Sequence, residues 1–390
     1  MQASTAAAFR LRAHLAMGWR VSSSSADFAV IGGGIIGCAI ARALAIGGGG
    51  RVVVVERAQP GAEASSAAAG VLAVASSRAP RGVLFELKRA SAALFPALAE
   101  ELHAETGVDV EYATDGLLDL AFSSRDAELL DRLVARRQEQ GFAAERLDAD
   151  SVRARFPEVN PAVRRGAWFG DDRVVNNVQL VEALRASALA RGVEFRLGAP
   201  VTQIAAQREH VTGIEAGGER LAVGHLVIAA GAWAAEVGAL LRVKIPVRTD
   251  RGEMVAVRPR TPLGLVLSWH DGYLVPRRNG EVLIGSTSAR GATEKMVTAA
   301  AAATLLGRAV RMMPALGDAA LVRTWAGLRP LSTLRRPIIG PLRGFANVTL
   351  ACGHHRSGIL LAPITAQLIA ELLLQGATSI PLQPFCYRPR

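Results

Sequence analysis

A strand-like run, Phe28-Ala29-Val30-Ile31, leads into Gly32-Gly33-Gly34-Ile35-Ile36-Gly37, and helical spacing continues from there to Ala45. Glycine at the first, third and sixth places suits a turn that holds phosphate. Gly32 permits the tight turn, Gly34 lets a pyrophosphate approach the backbone, and Gly37 lets the helix pack on the strand. The helix N-terminus adds free N–H groups and the positive end of a dipole. Gly47 to Gly50 end the helix, Arg51 to Val55 read as a buried parallel strand, and Glu56 follows nineteen residues after Gly37. A carboxylate there can accept both ribose hydroxyls of an adenosine and repels a 2′-phosphate, so NADP is disfavoured while FAD and NAD stay open.

Two further segments have residue types that suit a flat, charged ligand. Gly61 to Leu72 is rich in Ala, Ser and Gly, with Ser65, Ser66 and Gly70. Small residues let backbone approach closely and hydroxyls can bond phosphate, although the same composition also reads as a flexible linker. Near the C-terminus a strand around Val348 to Ala351 is followed by Gly353-His354-His355-Arg356-Ser357-Gly358-Ile359 and an apolar helix to Leu374. This repeats the strand, glycine loop and helix arrangement, with a helix N-terminus that can again face a cofactor.

The segments between these motifs supply the elements that must position them. Helical spacing covers Leu84 to Leu102, Arg125 to Arg137, Asn177 to Ala190 and Val297 to Met313. Val108 to Leu120 reads as a strand pair about Asp115-Gly116, and Val193 to Phe195, Val201 and His225 to Ala230 read as returns to the nucleotide sheet. From Ile245 to Thr287 alternating segments with turns at Arg251-Gly252, Asp271-Gly272 and Asn279-Gly280 suggest an antiparallel sheet.

Length and composition bound the possibilities. The chain has 390 residues, enough for two or three domains, and half of them are hydrophobic, which is the composition of a folded protein. The formal charge of +11 comes from 45 basic residues of which only Lys88, Lys244 and Lys295 are lysine. A compositional bias toward arginine explains that charge without a polyanion, and no block of like charges marks a nucleic-acid surface. The uncharged stretches Leu221 to Ala235 and Leu372 to Tyr387 fall short of the ~18 residues of a bilayer span, so no membrane-crossing segment is expected. Cys38, Cys352 and Cys386 are far apart and odd in number, which suggests neither disulfides nor zinc and fits a reducing, cytoplasmic setting. Residues 1–26 carry Arg10, Arg12 and Arg20, a serine run and no acid, the composition of a transit peptide or a disordered leader.

Taken together these residues resemble the FAD-dependent D-amino-acid oxidase superfamily, and most closely the glycine oxidases of thiamine biosynthesis. The resemblance covers nearly everything after Asp27. It rests on the glycine fingerprint with Glu56, Ser65-Ser66 to Gly70, Val227 to Trp233, Tyr273 to Arg277 with Ile284 to Thr287, Gly327-Leu328-Arg329-Pro330, and Gly353 to Pro363. It implies an α/β fold, with an FAD-binding Rossmann-type domain formed by residues 27–85, 150–240 and 325–390. Residues 86–149 and 241–324 would form a second, antiparallel-sheet substrate domain. By resemblance, noncovalent FAD would be held by the Gly32 and Gly34 turn, Ile36, Gly37, Glu56 and Arg57 at its adenosine and pyrophosphate end. Ser65, Ser66, Gly70, Val71 and Leu72 would meet the flavin side, Val201 the adenine end, and His354, His355, Arg356, Ser357, Gly358, Ile359 and Leu360 the ring. Arg329 and Arg356 match positions that bind a substrate carboxylate, and Tyr273 a substrate-pocket tyrosine. Cys352 does not match the covalent-flavin cysteine of sarcosine oxidases. Val71, His355, Ser357 and Ala289 depart from the residues usual in the family.

The activity so implied is oxidation of glycine or a similarly small amine with oxygen, giving glyoxylate, ammonia and hydrogen peroxide, in supply of thiazole synthesis. A D-amino-acid oxidase or dehydrogenase, or a flavin domain acting on modified tRNA, are the alternatives. Of these, nucleic acid is disfavoured, because no basic cluster with interleaved aromatics is present. The family suggests a homotetramer.

Overall fold

The computed structural model describes residues 24–388 apart from Pro80 and Asp271, so most of the arginine-rich leader and Asp271 of the expected Asp271-Gly272 turn lie outside the described residues. Ordered strand begins at Ser25, two residues inside the expected leader, because Ser25 and Ala26 pair with Ala222 and Val223.

Among the described residues a first sheet of eight strands has a parallel centre in the order Val348–Cys352, Glu219–Ile228, Ser25–Ile31, Val52–Val55 and Glu194–Arg196. Strand periodicity divides its side chains between two apolar layers. Val30, Val52, Val54 and Val227 pack against helices Ile35–Ile46, Asn177–Ala190 and Gly358–Gln375. Ala29, Ile31, Val53, Val55, Leu226 and Ile228 pack beneath an antiparallel meander, Val201–Gln207 and His210–Ala216, that leads into Glu219–Ile228. Burial on both faces explains why the central strands read as continuous Val/Ile runs.

The helix Gly358–Gln375 spans the helical layer and contains Pro363. Proline removes one ladder donor, and its ring displaces the turn before it. Ser91 repairs the gap: its Oγ donates to the Leu360 carbonyl at 2.6 Å and accepts the Ile364 N–H at 3.3 Å. Contrary to the sequence expectation, His355–Gln375 is long and apolar enough to cross a membrane by length and composition, because Glu371 interrupts the uncharged run without ending the helix. Half of that stretch is buried inside the protein, where the helix packs on Ile35–Ile46 and Val83–Ala93.

A second sheet of nine strands among the described residues has the order Ala289–Arg290, Val247–Arg258, Val282–Gly285, Gly272–Pro276, Val266–Trp269, Leu117–Ala121, Arg165–Phe169 and Ala144–Asp148. The strand Ala320–Ser332 pairs along the full length of Val247–Arg258. Its register is antiparallel except where Val266–Trp269 meets Leu117–Ala121. Arg165–Phe169 lies in this sheet, although the division by sequence places it with the nucleotide unit. Phe85, Leu87, Phe95 and Leu102 pack into the core of the first sheet.

Three local expectations differ from the structure. The helix over Leu84 to Leu102 is two helices, Val83–Ala93 and Phe95–Thr106, because Pro96 has no N–H to continue the ladder. Val108 to Leu120 forms no hairpin, since Ala113 bonds Val174 instead and only Leu117–Ala121 is strand. Arg251-Gly252 is no turn and lies inside the strand Val247–Arg258, for a reason that the site makes clear.

Candidate active site

A cavity of about 920 Å³ runs between the two sheets and collects most of the residues singled out by sequence. Gly32, Gly34, Ile36, Glu56, Arg57, Ser65, Gly70, Val71, Val201, Tyr273, Arg329 and His354 through Leu360 all border it. Three do not. Gly37 serves packing, as a Cβ there would stand 1.9 Å from the Gly32 carbonyl oxygen. Ser66 borders a separate cavity of about 440 Å³ and donates to the Gly61 carbonyl at 2.6 Å. Leu72 is buried in the core of the first sheet.

At one end the chain forms a cradle for a dinucleotide. Gly32 has φ +109°, and a Cβ on it would approach the Ala229 carbonyl oxygen to 2.5 Å, so the turn admits only glycine. The Glu56 carboxylate is fixed before any ligand arrives, with Oε2 accepting the Gly33 N–H at 2.7 Å and Oε1 the Ala58 N–H at 2.9 Å. Glu56 also borders the cavity. No side chain caps the helix Ile35–Ile46 through Gly34, and Ser65 Oγ accepts the Ile35 N–H at 3.0 Å, bringing the Ala/Ser segment against the turn. That segment is pinned and is no linker: Asn177 Nδ2 donates to the Ser65 and Ser66 carbonyls at 2.7 and 3.2 Å. Trp233, which the sequence reading did not assign, lies 3.4 Å beneath the Arg57 guanidinium and closes this end. The glycine-only turn, the carboxylate at the strand end and the helix that starts between them fit a dinucleotide such as FAD.

At the other end Arg329 is positioned by the second sheet. Its Nη1 donates to the Thr287 carbonyl at 3.0 Å and its Nη2 to Ser286 Oγ at 2.8 Å, with Asp250 Oδ2 at 3.6 Å. The guanidinium lies flat over Gly252, where a Cβ would be 2.0 Å from Nη2. Gly252 is therefore glycine to make room for Arg329. Burial lowers the Arg329 pKa, opposed by Tyr273 and Asp250. Arg356 borders the same cavity but is exposed.

Asp250 was missed by sequence reasoning, since an acid inside an alternating strand next to arginine carries no local signal. It is fully buried and accepts from Ser288 Oγ at 2.7 Å, and it meets His355 Nε2 at 2.7 Å. Burial alone would raise its pKa, but the bonds from His355 and Ser288 and the Arg329 charge hold it below the usual carboxylate range. His355 has φ +52°, a conformation that L side chains rarely adopt, and its pKa is lowered by burial against the pull of Asp250. At this position the chain thus has an imidazole bonded to a buried carboxylate.

His354 is buried, with Nε2 3.1 Å from Thr365 Oγ1, and burial pushes its pKa down to about 3, so it is neutral and positions the loop. Burial pushes the Cys352 thiol up to about 12, so no thiolate stands at this wall. Tyr273 directs its hydroxyl to Met254 Sδ at 3.5 Å above Gly285. Asp119, also missed, borders the cavity beyond Tyr273, and burial raises its pKa to about 6.

Residues 27–372 match the family model described as FAD dependent oxidoreductase. The chain is 34% identical over 364 residues to a glycine oxidase of Geobacillus kaustophilus, covering 92% of this chain and 96% of that one. It is 34% identical over 368 residues to the bifunctional protein ThiO/ThiG of a Synechocystis species, of which it spans only 54%. The crystal structure of glycine oxidase from Geobacillus kaustophilus superposes with a TM-score of 0.90 at 32% identity, over 94% of this chain and 100% of that one.

Proposed function

This chain belongs to the FAD-dependent oxidoreductase family, and from that premise we propose that it oxidises glycine or a similarly small amine, in supply of thiazole synthesis for thiamine. The observation that carries the reading is the partly buried Arg329 guanidinium, which is held by Ser286 and Thr287 with Asp250 close by and borders the cavity. A carboxylate matches that fork of donors, and an amino acid so anchored has its α-carbon held in one place.

Bound FAD supplies the electron acceptor for removal of hydride from the α-carbon. Ile36, Glu56 and Arg57 would hold its adenosine and pyrophosphate, with Val201 at the adenine. Ser65, Gly70 and Val71, with the loop His354 to Leu360, would hold the flavin. Arg329, assisted by Arg356 and Tyr273, binds and orients the substrate. The amine becomes an imine, water hydrolyses the imine to glyoxylate and ammonia, and oxygen leaves as hydrogen peroxide. No side chain need remove the amine proton if the amine binds neutral. A homotetramer and a cytoplasmic location belong to the same reading by family resemblance.

An absorbance spectrum of the purified holoenzyme tests it. Anaerobic glycine should bleach the flavin band, and air should restore it with release of peroxide. Far faster bleaching by D-alanine would make the enzyme a D-amino-acid oxidase, and no bleaching by either would overturn the reading.

A further inference from the structure

The register of the second sheet places a row of side chains on one wall of the cavity. Gly285, beside Ser286 that holds Arg329, stands opposite Tyr273; Tyr273 stands opposite Ser268, and Ser268 opposite Asp119. Directly opposed residues share a face of the sheet, so Asp119 is directed to the same side as Tyr273 and borders the same cavity.

Asp119 is 3% exposed. Its Oδ2 lies 3.3 Å from Arg78, and the Ser268 hydroxyl and Leu120 N–H also stand near the carboxylate, yet its Oδ1 makes no hydrogen bond of good geometry among the described residues. Leaving a buried carboxylate oxygen unpaired is costly, and such groups in folded proteins call for an explanation. Neither the dinucleotide cradle nor the Arg329 cluster uses this one. Strands are spaced at roughly 4.8 Å, which puts Asp119 roughly 14 Å along the sheet from Gly285, a separation on the order of an extended short-chain hydroxy acid with its hydrogen bonds at both ends.

We propose that Asp119 forms a distal subsite that takes a neutral hydrogen-bond donor, a hydroxyl or amide N–H, at the far end of a carboxylate ligand anchored on Arg329. A neutral donor fits better than a cation, because Arg78 already balances the carboxylate and Lys88 borders the same cavity. The site then accepts substrates longer than glycine when they carry such a group, and discriminates against those of equal size that end in methyl. This rests on the carboxylate role of Arg329 proposed above.

Unreactive carboxylates read the subsite without turnover. The holoenzyme is titrated, following the flavin absorbance, with 3-hydroxypropanoate against butanoate, 4-hydroxybutanoate against pentanoate, and 5-hydroxypentanoate against hexanoate. At one chain length or more the hydroxy acid should bind about ten- to a hundred-fold more tightly than its methyl partner. Asp119→Ala should bring that ratio to one or below, and Asp119→Asn, which keeps the shape, should lower it several-fold. A ratio of one or less at all three lengths in the natural chain, or a ratio untouched by either substitution, overturns the subsite while leaving the Arg329 reading intact. Failure of every carboxylate, hydroxylated or not, to perturb the flavin sinks the Arg329 reading and the subsite with it.

Discussion

Substituting Arg329 by alanine tests the carboxylate anchor most directly. Two donor contacts of the guanidinium, to the Thr287 carbonyl at 3.0 Å and to Ser286 Oγ at 2.8 Å, fix its plane and leave the rest of the fork for substrate. Hydrogen bonds to charged groups contribute about 1.5 to 3 kcal/mol each. A bidentate carboxylate therefore stands to lose about 3 to 6 kcal/mol in transition-state binding, which lowers kcat/KM for glycine by roughly two to four orders of magnitude. The fold should survive, because Asp250 keeps its bonds to Ser288 and His355 when Arg329 is gone. Arg329→Lys should fall between, retaining the charge without the planar fork. Stopped-flow reduction of the flavin by glycine, beside a flavin absorbance ratio to show the cofactor is retained, gives the numbers. A simple amine without a carboxylate should be oxidised equally slowly by both proteins. If the alanine variant holds its flavin and keeps kcat/KM for glycine within threefold of the natural enzyme, Arg329 is not the anchor.

Ser91→Ala removes the hydroxyl that bridges Leu360 and Ile364 and strands both backbone groups in the core, so it should cost about 1 to 3 kcal/mol in denaturant unfolding, and a loss under 0.5 kcal/mol would remove Ser91 from the repair of the helix. Burial depresses His354 to about 3 and His225 to about 4, below the ordinary value of about 6.5. Because the unfolded chain binds those protons first, the stability tied to neutral imidazoles is complete above pH ~6.5 and falls with acidification towards pH 4 and then 3. At pH 5 the loss is about 2 kcal/mol per histidine, so His225→Gln should flatten the fall in stability between pH 7.5 and 5, and an unchanged slope would contradict its partly buried, uncharged state.

The dinucleotide end was legible in the sequence because its parts are close along the chain. Gly32, Gly34 and Gly37 act within one turn, and Glu56 reaches back to bond Gly33 only 23 residues earlier. The need for glycine at φ +109° and for a carboxylate at a strand end is a local requirement, written in residue type and spacing. Asn177–Ala190 was likewise readable because a helix depends on its own period and on the Asn176 side chain capping it.

The other end was decided by tertiary structure. Asp250 and His355 meet across 105 residues, and Arg329 reaches Ser286 across 43, through a register between strands that no short pattern reports. Gly252 looked like a turn because local rules ask glycine for conformational freedom, whereas here it is the space beneath Arg329. Asp119 became notable only when the parallel pairing of Leu117–Ala121 with Val266–Trp269 set it in the row of Ser268 and Tyr273, with one oxygen left unpaired. Residue type and short spacing determined that a dinucleotide binds. Long-range strand register, which sums many weak contacts over distant segments, decided which charges surround its partner.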